Sequence, residues 1–157
     1  MSPDLVVRIC LSDELDPRDR TAIRALLDTA FAGDFSDQDW DNALGGTHAL
    51  IETADVEAVA VLPARQGTGL GTAVMRALGE IVARDFALGA LSTGEWHFYE
   101  RLGWERWRGP TWVRYPDGRR ERTPDDDDSL MILRTPRTPA LDPSAPLTCD
   151  ARPGDVW

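Results

Sequence analysis

The groups best suited to chemistry in this chain lie between residues 56 and 71, VEAVAVLPARQGTGLG. Val56, Ala58, Ala60 and Leu62 alternate with Glu57, Val59 and Val61, which predicts a strand carrying Glu57 and two valines on one face. Pro63 closes it, because proline has no N–H to give to a ladder. Gln66-Gly67-Thr68-Gly69-Leu70-Gly71 then leads into an amphipathic run, with Leu70, Val74, Leu78, Ile81 and Val82 at helical spacing. A glycine-rich entry to a helix leaves several N–H groups pointing one way, at the positive end of the helix dipole. That arrangement binds phosphate. The stretch therefore offers an anion cradle next to a strand that carries one carboxylate.

Two common glycine patterns do not fit. A P-loop ends in Gly-Lys-Ser/Thr, and no lysine follows here. A dinucleotide GxGxxG begun at Gly67 needs glycine or alanine at position 72, which is Thr72. What fits is Q-x-x-G-x-G at Gln66, Gly69 and Gly71, directly after a strand. The pattern resembles the pyrophosphate-binding motif of the GNAT acyl-CoA N-acetyltransferases. The same residues also suit an ordinary strand–turn–helix whose glycines serve tight packing.

The totals narrow the setting. A chain of 157 residues is enough for one domain with a substantial core. At 42% hydrophobic it is globular in composition, and no run approaches the ~18 apolar residues of a membrane span. The first residues, MSPDLVVRIC, lack the apolar core of a secretory signal. Cys10 and Cys149 are far apart, so free thiols in a reducing cytoplasm are expected rather than a disulfide. A net charge of −10 and a pI near 4.6 argue against nucleic acid as a partner, since phosphate backbones need a basic surface. The charge suits a polycationic ligand, and equally plain solubility.

The elements that must position these groups follow from periodicity and punctuation. Strands are expected at 5–11, 47–51, 56–62, 88–92, 104–107, 111–115 and 130–133. Asp16 before Pro17 starts a helix over 17–31, and Ser36 caps a short one over 37–44. Further helices are expected from the glycine-rich turn to about 85 and over 94–102. Residues 119–128 are highly charged and read as exposed loop, and the prolines of 135–146 keep that stretch extended. Only ETAD (52–55) separates two strands, which suits a hairpin loop. The alternation predicts an α/β or α+β fold with a mixed sheet.

Seven separated pieces carry a closer resemblance: FAGDFSDQDW (31–40), LGGTHALI (44–51), VEAVAV (56–61), LGALS (88–92), FYERLGW (98–104), RTPDDD (122–127) and CDARPGDVW (149–157). In this order they are similar to the aminoglycoside 2′-N-acetyltransferases, antibiotic-resistance enzymes within GNAT. The resemblance implies a single acetyltransferase domain over 1–157, with a mixed central sheet flanked by helices. Residues 135–157 would form an extended C-terminal segment that returns to the acceptor site. It also implies acetyl-CoA as co-substrate, no metal and a homodimer.

The resemblance assigns roles as well. An amine must be neutral to attack a thioester, and Glu57 matches the general base; it could also be a solvated strand-end carboxylate. Tyr99 matches the acid that protonates the leaving thiolate, and could instead be an aromatic core contact beside Phe98. Val59 and Val61 would offer backbone groups to the pantetheine, with the Val59 N–H as oxyanion donor. Gln66, Gly67, Thr68, Gly69, Leu70 and Gly71 would hold the pyrophosphate. Asp34, Asp39, Ala58, Ser92, Asp126, Asp155 and Trp157, the last through its terminal carboxylate, would meet the aminoglycoside. Several carboxylates give a polycation both affinity and steering. Asp39 could equally serve its own helix N-terminus, and the run 125–128 could be a solvated acidic face. Adjacent loop carboxylates rarely converge on one ion, and His48 and His97 form no metal constellation.

The resemblance breaks between Ile51 and Val56, where the family carries two further strands and this chain has ETAD. Besides a structural interaction protein with no ligand, two other readings remain. One keeps the chemistry but assigns another cationic amine, such as a polyamine or cell-wall amino sugar. The other is a non-catalytic module that binds acyl-CoA or a cationic ligand.

Overall fold

Asp16 starts the first helix as its place before Pro17 predicts. Its side chain accepts the Asp19 N–H at 2.8 Å, and α1 (Pro17–Ala30) runs from there with Ile23, Leu26 and Leu27 on its buried stripe. The structure is a computed structural model that describes residues 7–51, 61, 63–153 and 156–157. The expected strand over 56–62, apart from Val61, and the ETAD connection lie outside the described residues. Val61 itself carries no regular secondary structure.

The remaining elements are β1 (Val7–Leu11), α2 (Asp37–Ala43), β2 (Thr47–Ile51), α3 (Leu70–Asp85), β3 (Leu88–Ser92), α4 (Trp96–Glu100), β4 (Glu105–Arg106), β5 (Thr111–Arg114), β6 (Arg120–Arg122), β7 (Leu130–Arg134) and β8 (Leu147–Asp150). Contacts divide the chain into two units, residues 1–78 and 79–157, with the division inside α3.

In the first unit β1 and β2 pair antiparallel, with Val7 opposite Ile51 and Leu11 opposite Thr47. Alternation sends successive side chains to opposite faces. Cys10 and Leu50 pack with Leu15 and the α1 stripe. Val7 and Ala49 pack instead with Leu70 and Val74 of α3. The pair is thus covered by α1 on one face and by the first turns of α3 on the other.

In the second unit β7 lies between β3 and β4, antiparallel to both, and Leu130, Met131 and Ile132 are buried in succession. A strand covered on both faces reads as a continuous apolar run, which is how LMIL reads. The last turns of α3 approach this sheet closely: a Cβ on Gly89 would lie 3.1 Å from Val82 and 3.3 Å from Trp104. A third sheet has the order β6-β5-β8, with β5 antiparallel to β6 and parallel to β8. The architecture is α+β with mixed strand directions.

Three expectations are corrected. The helix over 94–102 contracts to α4, and the chain turns through Gly103 at φ +88°. The charged segment 119–128 is not simply exposed loop: Arg120, Glu121 and Arg122 pair with Arg114, Val113 and Trp112. The C-terminal segment also contains β8, a strand the sequence reading did not mark. β6 and β8 are short edge strands set by pairing with β5, and neither carries the apolar alternation that announces a strand by itself.

Candidate functional site

The turn expected to cradle an anion, residues 66–71, belongs to the first unit. After a single 3-10 turn at Pro63–Arg65, Gly67 and Gly69 adopt φ +75° and +88°, and α3 starts at Leu70. Two side-chain bonds brace this turn. Gln66 donates through Nε2 to the Val61 carbonyl at 3.4 Å, and the Thr68 hydroxyl donates to the Arg65 carbonyl at 2.6 Å. Leu70 is only 4% exposed and packs with Val74 and Ala49, so its side chain is core and only its backbone can face a ligand. Gly71 is the second residue of α3. Positions 66–69 are exposed, and the first-turn N–H groups of a 16-residue helix have no acceptors within that helix. These features fit a pyrophosphate.

Asp34 and Asp39 flank the start of α2. Asp34 is exposed and its N–H donates to the Phe31 carbonyl at 3.0 Å. Asp39 closes a capping box: its Oδ2 accepts the Ser36 N–H at 2.9 Å and the Ser36 hydroxyl at 2.7 Å, while its own N–H donates to Ser36 Oγ at 3.1 Å. The carboxylate therefore serves its helix N-terminus, as the sequence also allowed.

Tyr99 sits in α4 of the second unit. Its ring meets Phe98 edge-on at 5.1 Å and Trp104 edge-on at 6.0 Å. Burial, and secondarily the charge of Glu95, push its phenol above the ordinary tyrosine value. The hydroxyl thus stays protonated and able to donate.

Ser92, Asp126 and Trp157 are distant in sequence and meet on one segment, residues 123–129. The Ser92 and Ser129 hydroxyls are 2.8 Å apart, and Ser129 Oγ donates to the Asp126 carbonyl at 3.0 Å. The Trp157 indole N–H donates to Thr123 Oγ1 at 3.0 Å, and the ring packs against Trp107, Leu130 and Ile132. Glu57, Ala58, Val59 and Asp155 lie outside the described residues.

Sequence reasoning missed what braces this segment. Asp127 Oδ1 accepts from the Thr111 N–H at 2.8 Å, the Thr111 hydroxyl at 2.8 Å and Arg122 Nη1 at 2.8 Å, and its Oδ2 accepts from Arg122 Nη2 at 2.7 Å. Arg122 first, and the Thr111 N–H next, hold the Asp127 carboxyl well below the usual carboxylate range. Thr123 Oγ1 donates to Thr111 Oγ1 at 2.8 Å, and Thr111 is fully buried. The signal was present in RTPDDD: an arginine and an aspartate five residues apart around a proline turn can close on each other.

Three comparisons relate this chain to known proteins. Residues 33–106 match the acetyltransferase (GNAT) domain family. An aminoglycoside 2′-N-acetyltransferase from Mycolicibacterium fortuitum is 40% identical over 178 aligned residues, covering 96% of this chain and 91% of that protein. That aligned length exceeds the 157 residues here, so the alignment opens gaps in this chain. The crystal structure of the ribosomal-protein-S18-alanine N-acetyltransferase from Escherichia coli superposes with a TM-score of 0.52 at 20% identity, covering 87% of this chain and 97% of that one. This last likeness shows a shared fold alone.

Proposed function

We propose, for a chain that belongs to the aminoglycoside 2′-N-acetyltransferase family, that it acetylates the 2′-amine of aminoglycosides and thereby confers resistance to them. Acetyl-CoA would supply the acetyl group and leave as CoA. The braced Gln66–Gly71 turn would hold its pyrophosphate on backbone N–H groups, with Val59 and Val61 along the pantetheine. Glu57 would take a proton from the acceptor ammonium, and Tyr99 would give one to the departing sulfur. Asp34, Asp39, Ala58, Ser92, Asp126, Asp155 and the Trp157 carboxylate would bind the drug. The resemblance further implies one acetyltransferase domain, working as a homodimer in the cytoplasm, with the family's two further strands missing between Ile51 and Val56.

One observation carries the acceptor half of this reading: Ser92, Asp126 and Trp157 converge on residues 123–129. Carboxylates on this segment suit a rigid polycation better than a small monoamine. The experiment is release of CoA thiol from acetyl-CoA with paired aminoglycosides that carry or lack a 2′-amine. Turnover confined to the 2′-amino drugs is the expected result. Release with polyamines alone would assign another cationic acceptor, and acetyl-CoA binding without release would leave a binding module.

A further inference from the structure

We propose that Thr123 and Thr111 are positioning residues for the acceptor, holding the Trp157 indole, and with it the terminal carboxylate, through a hydrogen-bond chain that ends on Asp127. The proposal rests on the preceding reading for the identity of the acceptor. The chain runs from the indole N–H to Thr123 Oγ1 at 3.0 Å, from Thr123 to Thr111 Oγ1 at 2.8 Å, and from Thr111 to Asp127 Oδ1 at 2.8 Å.

Its direction is fixed at both ends. An indole can only donate and a carboxylate can only accept. The Thr111 proton faces two acceptors, Asp127 Oδ1 and the Thr123 carbonyl at 2.6 Å, so it is used there and Thr111 Oγ1 must accept from Thr123. Thr123 has then given its proton inward and can only accept from Trp157. A reversed chain would leave the indole facing a hydroxyl proton. Arg122 prevents the far end from swinging, since it grips both Asp127 oxygens and also donates to the Thr111 carbonyl at 2.7 Å. Thr111 is fully buried, so little water competes for its bonds.

Packing against Trp107, Leu130 and Ile132 would hold any large apolar side chain; the directional bond from the indole is what selects one orientation of the last residue. The chain is therefore a specificity device. It adds no charge to the acceptor side but fixes where the last residue stands.

The test compares Thr123→Val, which removes only the hydroxyl from a side chain of the same shape, with Thr123→Ser, which keeps it. In Thr123→Val the aminoglycoside KM should rise about tenfold, near what one well-formed hydrogen bond can carry. The acetyl-CoA KM should stay within about twofold, and Thr123→Ser should return the aminoglycoside KM to within about twofold of wild type. Equal aminoglycoside KM values in all three proteins, or a parallel rise for acetyl-CoA, would overturn the proposal. NMR exchange of the Trp157 indole proton is the companion readout: faster in Thr123→Val, retained in Thr123→Ser. If wild type acetylates no 2′-amino aminoglycoside, the activity reading has failed and exchange alone decides. Unchanged exchange in Thr123→Val then overturns the anchor as well.

Discussion

Arg122 and Asp127 close on each other around the Pro124–Asp126 turn, Nη1 to Oδ1 at 2.8 Å and Nη2 to Oδ2 at 2.7 Å. The two side chains are about one-third exposed, so the pair alone would contribute modestly. What raises its importance is Thr111, whose buried N–H and hydroxyl both end on the same carboxylate. Ser92 and Trp157, both proposed to meet the acceptor, rest on the segment that this contact braces, and Asp126 is part of it.

Replacing Asp127 by alanine should therefore cost more than an ordinary surface ion pair. It strands the Thr111 N–H and one arginine, and the expected loss is roughly 1–3 kcal/mol. The acid limb gives a second check. The folded-state carboxyl is held below its unfolded value of about 3.9, so the stabilisation is full above that pH and disappears as pH falls toward the folded-state value. In urea unfolding, the stability gap between wild type and Asp127→Ala should be constant near neutrality and narrow below about pH 4. A gap independent of pH down to pH 2 would contradict the assignment.

Gly69→Ala should affect cofactor affinity through backbone conformation alone. Gly69 has φ +88°, and a Cβ there meets nothing within 4 Å. The cost is left-handed strain of about 1–2 kcal/mol, with no clash added. If the turn holds the pyrophosphate, calorimetry should show weaker acetyl-CoA binding while aminoglycoside binding is kept. Gly46→Ala, at a position with neither positive φ nor a neighbour within 4 Å, should leave both unchanged.

Legibility in the sequence followed the range of the interactions. Asp16-Pro17, Ser36 and the apolar runs of β1 and β7 act locally, and their elements stand where periodicity and capping put them. The glycine turn was legible for the same reason, because positive φ is a local demand. β6 and β8 were not, since three or four residues at a sheet edge become strand by pairing with β5. Asp127 was hidden among Asp125, Asp126 and Asp128. Only the arrival of Thr111 and Arg122 distinguishes it from its neighbours, and neither contact leaves a periodic trace. Leu70 was read as part of the cradle, and its burial limits it to a backbone contribution.

Tyr99→Phe tests the proposed acid. The variant keeps the ring contacts with Phe98 and Trp104, so the fold and acetyl-CoA affinity should be retained. kcat should fall roughly 10²-fold, the lower end for loss of general acid catalysis. Burial and Glu95 both raise the phenol, so the alkaline fall in wild-type kcat should begin above the ordinary tyrosine value of about 10. Glu95→Gln removes the smaller of the two causes, and should shift that limb to lower pH without abolishing it. Unchanged kcat in Tyr99→Phe would exclude the hydroxyl from the chemistry.

Gly109→Ala should be the most damaging single methyl in the second unit. A Cβ there would stand 1.8 Å from the Ala145 carbonyl oxygen and 2.6 Å from its carbon. These are backbone atoms, so no rotamer change can relieve the overlap. The same place is a clamp: the Arg108 and Gly109 N–H groups both donate to the Pro143 carbonyl, at 2.8 and 3.0 Å, and the Trp107 indole donates to Ala145 at 3.0 Å. β8 follows directly, with the Leu147 N–H donating to Pro110 at 3.0 Å. Forcing residues 143–147 outward breaks these bonds together and frees the strand that leads to Trp157. The expected loss is about 3 kcal/mol, the upper end for overpacking. Aminoglycoside affinity should fall further than acetyl-CoA affinity, because the glycine cradle lies in the first unit. Gly94→Ala, where a Cβ meets nothing within 4 Å, is the matched control and should melt with wild type. Equal melting of Gly109→Ala and wild type would show that the C-terminal segment does not depend on this clamp.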